Sequence, residues 1–378
     1  MQRSTERILT THTGSLPRPD DLIPLLYAQA AGEAMDEAEF ATQVRAAVAD
    51  VVRRQVDAGL DVINDGEAGK VGYSTYVATR LTGFAGEGNT LNRGPADLWD
   101  FPTFAARRQS PRMPRPACVG PVTYGDQTAL RADLDNLTAA LDGVSPAEVF
   151  VSAASPGVIS LFLENRHYAS HEQYLMAVAD AMKTEYDAIH QAGFLLQLDC
   201  PDLAMGRHIQ FPEASLEEFK RHAETHVAAL NHALADVPSD RVRMHLCWGN
   251  YEGPHHHDVP LREIIGIALT AKPSAISFEG ANPRHEHEWR VFEDIELPEE
   301  KVLIPGVLDS TTNYIEHPEL VAQRIVRYAT LVGRERVIAG TDCGFATFAA
   351  SNTVDPAIAW AKLRALAEGA HLASQQLW

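Results

Sequence analysis

Two cysteines, a histidine and a glutamate each close a short apolar run in this chain. His245 and Cys247 end Met-His-Leu-Cys-Trp-Gly-Asn, Glu279 ends Ile-Ser-Phe-Glu-Gly, and Cys343 lies in Gly-Thr-Asp-Cys-Gly. Two thiolates, one imidazole and one carboxylate suit a tetrahedral zinc ion, and the carboxylate points to a site that exchanges a ligand for substrate. The chemistry would be activation of a substrate thiol. A free thiol is mostly protonated at neutral pH, and coordination to a divalent ion leaves a nucleophilic thiolate. Two thiolate ligands keep the ion electron-rich, which favours alkylation of sulfur over hydrolysis. The spacings, 279 − 247 = 32 and 343 − 279 = 64 residues, match no finger or ribbon motif. From residue types alone, two buried core cysteines with an unrelated His and Glu remain a competing explanation.

The elements that would carry these residues alternate along the chain. β-branched or apolar runs predict strands near 8–13, 61–66, 149–155, 194–199, 242–247, 274–279, 302–308 and 336–342. Helical patterns fill 39–58, 157–165, 170–192, 215–235, 260–271, 317–332 and 355–370. Ser215 with Glu218 three residues on is a capping-box signature, and Gly59, Gly193 and Gly333 are stop signals. Eight strand–helix units predict an α/β fold, an eight-stranded parallel β/α (TIM) barrel, whose active site lies at the C-terminal strand ends. No Gly-x-Gly-x-x-Gly follows the first strand, which argues against a dinucleotide fold. The Gly-, Pro- and Arg-rich stretch 80–146 breaks the repeat and reads as an insertion after the second strand, decorating a single 1–378 domain. His245 and Cys247, two apart, share a face at the end of the 242–247 strand. Glu279 and Cys343 close the strands at 274–279 and 336–342.

Composition narrows the partners. The formal charge is 32 − 51 = −19, so nucleic acid and anionic membranes are poor partners. The N-terminus carries no signal-peptide stretch and no run is long enough to span a bilayer. Four cysteines in 378 residues make no disulfide framework, so the expected setting is a reducing cytoplasm. Nothing in the chain forbids a homo-oligomer.

The motifs resemble the catalytic C-terminal barrel of the cobalamin-independent methionine synthase family and its short relatives. The matching stretches are Thr-His-Thr-Gly-Ser-Leu-Pro-Arg near the start, Asn-Asp-Gly-Glu at 64–67, Leu-Gln-Leu-Asp at 196–199, His-Leu-Cys at 245–247, Phe-Glu-Gly at 278–280, Pro-Gly-Val at 305–307 and Asp-Cys-Gly at 342–344. The resemblance implies that His245, Cys247, Glu279 and Cys343 hold zinc. It also implies that homocysteine lies on Thr13, Gly14 and Ser15, with its ammonium held by Glu67 and Asp199. A buried ammonium needs such partners. Trp248 and Asn250 would line the pocket, and Tyr73 and Tyr76 would close over it or pack beside it. Cys118 and Cys200 read as inert core thiols. The implied activity is methyl transfer from a folate-type donor to homocysteine, with a small-molecule thiol and an alkyl donor as the only partners.

Departures from the family pattern open alternatives. After Pro-Gly-Val-x-Asp the synthases carry a histidine linked to proton delivery, where this chain reads Asp309, Ser310, Thr311. A folate amine leaves poorly without a proton, and His12 or His317 would have to supply it. Epoxyalkane–coenzyme M transferases are short relatives that open a strained ring, and Glu279-Gly-Ala-Asn-Pro-Arg-His285 looks closer to them. Lys70 and Arg284 would then bind a sulfonate. A uroporphyrinogen-type decarboxylase shares the architecture but needs no metal, and a non-catalytic zinc-binding protein is the remaining class. His255, His256 and His257 read as a polar loop, and His285 and His287 as residues of the site mouth or the surface.

Overall fold

A computed structural model describes residues 1–88, 94–107, 115–351 and 353–378. Ten strands occur among them: β1 (Leu9–Thr10), β2 (Val62–Ile63), β3 (Phe84–Ala85), β4 (Ala117–Cys118), β5 (Glu148–Ala154), β6 (Leu195–Asp199), β7 (Val242–Leu246), β8 (Ala275–Phe278), β9 (Val302–Leu308) and β10 (Ile338–Thr341). Eight form one parallel sheet in the order β1-β10-β9-β8-β7-β6-β5-β2. The Asp61 N–H donates to Thr10 O at 3.2 Å and Thr11 Oγ1 to Val62 O at 3.0 Å, which draws the two edges together. The sheet is thus the expected barrel, nearly closed.

Side-chain alternation decides what the bore contains. In β6 and β7 the residues Leu196, Leu198, Met244 and Leu246 face outward, in the large core shared with the helices. Gln197 and Arg243 point into the bore, where they donate to Thr13 O and to Thr11 Oγ1 and His12 O. Below them Leu9, Ile304 and Ile338 form one apolar plug and Val62, Phe150 and Leu195 another. Above them the same face of each strand presents Asp199 and His245, which pair in register. A solid floor and a polar ceiling confine chemistry to the C-terminal mouth.

All seven expected helices occur, and Ser215 with Glu218 forms the capping box. Besides three four-residue helices, two longer ones among the described residues were not expected. Leu22–Ala31 starts without a side-chain cap, so its start signal is weak. Thr128–Ala140 lies within the stretch read as an insertion. Its buried Leu130, Leu134 and Leu137 carry an i, i+4, i+7 stripe that packs on the helix Glu37–Asp57. It occupies the outer layer between β2 and β5. The antiparallel pair β3–β4 stands outside the barrel sheet, and 89–93 and 108–114 of that stretch lie outside the described residues. Among the described residues no helix is long and apolar enough to cross a membrane.

Candidate metal centre and thiol pocket

Barrel curvature brings three strand ends to one point. The Nε2 of His245 and the Sγ atoms of Cys247 and Cys343 all lie within 4.8 Å of one another, buried. Cys343 Sγ is 3.4 Å from His245 Nε2 and 3.7 Å from Glu279 Oε1. Zinc–sulfur and zinc–nitrogen bonds of ordinary length at a tetrahedral angle separate their donor atoms by roughly 3.5 Å, so the His245, Cys247 and Cys343 trio fits a zinc ion, with Glu279 beside it at Cys343. His245 Nδ1 faces Ser277 Oγ at 3.1 Å, which orients the ring and leaves Nε2 toward the sulfurs. Burial, helped by the Arg243 charge beneath, lowers the His245 pKa to about 3, so the ring stays neutral and its lone pair free. The Cys343 thiol is pushed far up by burial and then by Cys247, Glu279 and Asp342. Such a crowd of anionic groups calls for a cation in its midst.

Glu279 is held from two sides. Its Oε1 accepts the Trp248 backbone N–H at 2.8 Å and its Oε2 accepts Asn282 Nδ2 at 2.7 Å. Asn282 Nδ2 also reaches Asp342 Oδ2 at 3.0 Å. Ser277, Asn282 and Asp342 escaped the sequence reading. Their sole signal there is position, beside Glu279 or Cys343.

A small cavity of about 30 Å³ is lined by His245, Cys247 and Cys343 together with Glu67 and Asp199. Thr13, Ser15, Tyr73 and Asn250 complete it. Glu67 is a non-glycine residue in the left-handed region, at φ +56°. Strain of this kind is tolerated where the surroundings fix a functional side chain. Its carboxylate comes so near the first strand end that a Cβ on Gly14, itself at φ +144°, would fall 2.4 Å from Glu67 Oε1. Gly344 makes room in the same way for Ser15 Oγ. Burial raises the pKa of Glu67 and, more strongly, of Asp199, which the Glu67 charge raises further. Glu67 Oε2 is buried without a hydrogen-bond partner. Arg18, the neighbouring cation, spends its guanidinium on the Ala346 and Glu67 carbonyls, and Lys70 donates to Ser152 O.

Asn250 Oδ1 accepts from Ser310 Oγ at 3.0 Å, and its Nδ2 donates to Gly344 O at 2.7 Å. Ser310 in turn accepts the Cys343 N–H at 3.1 Å. Trp248 is placed differently from the expectation. Its indole is fully buried, stacks on His285 at 4.0 Å and donates to Val259 O, so only its backbone reaches the site. Tyr76 likewise turns away, its hydroxyl on Glu185 at 2.6 Å. Cys118 and Cys200 are buried free thiols outside the cluster.

Neither expected proton donor is at hand. His12 bonds Gln55 at 2.7 Å and burial lowers its pKa to about 3, while His317 caps the helix Pro318–Val332. A larger cavity of about 390 Å³ opens on the other side of Glu279, with His255, Arg284, Asp309, Ser310 and Thr311 in its wall. His255 Nδ1 faces Asp258 Oδ2 at 2.8 Å and its Nε2 faces Tyr251 O at 2.9 Å. Two acceptors hold an imidazole in its protonated form, and the His255 pKa is raised despite burial because Asp258 outweighs it. His256 and His257 both bond Asp100 Oδ2, an exposed trio that is metal-capable by distance.

The family description "cobalamin-independent synthase, catalytic domain" matches residues 8–93 and 159–365. A methionine synthase of Thermococcus kodakarensis is 23% identical over 370 residues, covering 97% of this chain and 94% of that protein. A 5-methyltetrahydropteroyltriglutamate–homocysteine methyltransferase of Aliivibrio fischeri is 23% identical over 89% of this chain but only 39% of its own length. A B12-independent methionine synthase from Shewanella, solved with selenomethionine, shares the fold with a TM-score of 0.73 at 20% identity, covering 98% of this chain and 99% of that one. The chain belongs to the cobalamin-independent synthase catalytic-domain family.

Proposed function

We propose that this transferase moves a methyl group from a folate-type donor to homocysteine, giving methionine, with His245, Cys247, Glu279 and Cys343 as zinc ligands. The observation that carries the reading is the small cavity, lined both by the sulfur and imidazole donors and by two mutually repelling carboxylates. That combination matches an amino-acid thiol, whose ammonium relieves Glu67 and Asp199 while its sulfur meets the metal ligands. Zinc in this set would supply a substrate thiolate at neutral pH. Coenzyme M fits less well, because Lys70 is committed to Ser152 O and Arg284 lies exposed on the larger cavity.

The residues divide the work. Glu67 and Asp199 fix the ammonium, and the Asn250–Ser310–Cys343 chain ties the pocket rim to the metal ligands. The donor occupies the larger cavity. The homocysteine sulfur forms a bond to the methyl carbon, the carbon–N5 bond breaks, and its electron pair remains on N5. Both His255 nitrogens are committed to Asp258 and the Tyr251 carbonyl, so the proton that N5 takes up comes from solvent in that open cavity.

The test is a thiol and donor panel with the zinc-loaded protein, scored by mass spectrometry together with zinc X-ray absorption. Methionine formed from homocysteine and methyl-folate, with one more sulfur around zinc once homocysteine is added, supports the reading. Turnover of coenzyme M with an epoxide, and none with homocysteine, overturns it.

A further inference from the structure

The carboxylate in a ligand set that must admit a substrate thiol has to leave the metal without becoming a bare buried anion, which would be costly. Both oxygens of Glu279 already have protein donors, the Trp248 N–H on Oε1 and Asn282 Nδ2 on Oε2. Oε1 is the oxygen facing Cys343 Sγ, so Asn282 grips the opposite one. Asn282 is itself immobilised. Asp342 accepts the backbone N–H groups of Gly280, Ala281 and Asn282, each at 2.8 Å, and the Asn282 amide at 3.0 Å. This clamp works only because β9 offers no side chain there, since a Cβ on Gly306 would fall 2.1 Å from Asp342 Oδ1.

We propose that Asn282, clamped by Asp342, is the positioning residue that receives Glu279 when a thiol substrate takes its place. The inference rests on the zinc-thiol reading above and adds to it a residue whose effect is on ligand exchange. Without the Asn282 amide the displaced carboxylate lacks one charge-assisted hydrogen bond, so Glu279 competes harder with the incoming sulfur. Metal affinity in the absence of thiol falls less than thiol affinity, because no ligand is lost and the Trp248 N–H still orients the carboxylate.

The experiment titrates the cobalt(II)-substituted protein with homocysteine and follows the visible absorption of the metal. In Asn282→Ala the half-saturating homocysteine concentration should rise about tenfold, the loss of one hydrogen bond to a charged group. Cobalt stoichiometry should match the parent protein, and cobalt affinity should change by much less than the homocysteine half-saturation. Asn282→Ser, whose hydroxyl is too short to reach Glu279, should behave alike and serves if the alanine variant folds poorly. Half-saturation within twofold of the parent in the folded variants overturns the role of Asn282, as does a loss of cobalt affinity that accounts for the whole shift. A parent protein whose cobalt spectrum ignores homocysteine overturns both this inference and the thiol reading beneath it.

Discussion

Asp199→Asn separates a substrate-binding carboxylate from a structural one. Gln197 Nε2 donates to Asp199 Oδ1 at 3.0 Å, a bond that an asparagine oxygen keeps, so the fold should survive. The lost interaction is a hydrogen bond between ions, worth about 1.5–3 kcal/mol, or roughly 10- to 150-fold in kcat/KM for homocysteine. 4-Mercaptobutanoate, which lacks the ammonium group, should react no worse with the variant than with the parent. Stability should move the opposite way. Burial and the Glu67 charge raise the Asp199 pKa above its unfolded value, so this carboxyl costs stability increasingly as pH rises from the usual carboxylate range. Removing it should raise the melting temperature at pH 7, with the gain fading toward pH 4. For 378 residues the unfolding entropy is about 0.8 kcal/mol/K, so each kcal/mol relieved shifts the midpoint by about 1 °C. Calorimetry of the metal-loaded protein across that pH range, beside kinetics with both thiols, decides. A variant that melts lower and loses both thiols equally would refute the reasoning.

Cys247→Ser and Cys343→Ser should each reduce zinc to well below one equivalent after dialysis. A variant that retains full zinc by mass spectrometry would remove that cysteine from the ligand set. Gly14→Ala must push aside the Glu67 carboxylate in a backbone region that alanine resists. It should cost about 1–3 kcal/mol of stability and raise KM for homocysteine, and an unchanged KM would separate the first strand end from the pocket. Glu185 joins Tyr76, Tyr124 and Arg80 at 2.6, 2.6 and 3.2 Å and ties the segment before β3 to the helix His171–Gln191. Burial raises its pKa, but Arg80, Lys70 and the two hydroxyls outweigh it and the net shift is downward. Its stabilisation is therefore present above the unfolded carboxyl pKa and lost as pH falls through the lower folded value. Glu185→Gln should cost about 3–5 kcal/mol at pH 7, or about 4–6 °C by differential scanning fluorimetry, and less in acid.

Much of this site was legible before any coordinates. The apolar runs before His245, Glu279 and Cys343 mark buried parallel strands, and strand ends of a closed barrel meet at one mouth however far apart they lie in the chain. Directions were harder to read. Trp248 follows Cys247 directly, yet one residue along the chain reverses the side its ring takes, and His285 is there to stack on it. His255 read as a loop residue because Asp258 and the Tyr251 carbonyl become its partners only through the turn they share. The helix Thr128–Ala140 was written in its leucine spacing but hidden by the irregular residues before it.

The chain by itself determined the alternation of strands and helices, the four zinc-competent side chains and the acids placed to face them, because these depend on residue type and local period. Tertiary structure decided which of those groups touch. Only ring closure sets Cys343 Sγ 3.4 Å from His245 Nε2, confines Glu67 with Asp199 where neither charge is dissipated by water, and puts Asp342 behind Asn282. Those contacts join residues up to 132 positions apart, and their distances depend on the twist and tilt of the whole barrel rather than on any local run of sequence.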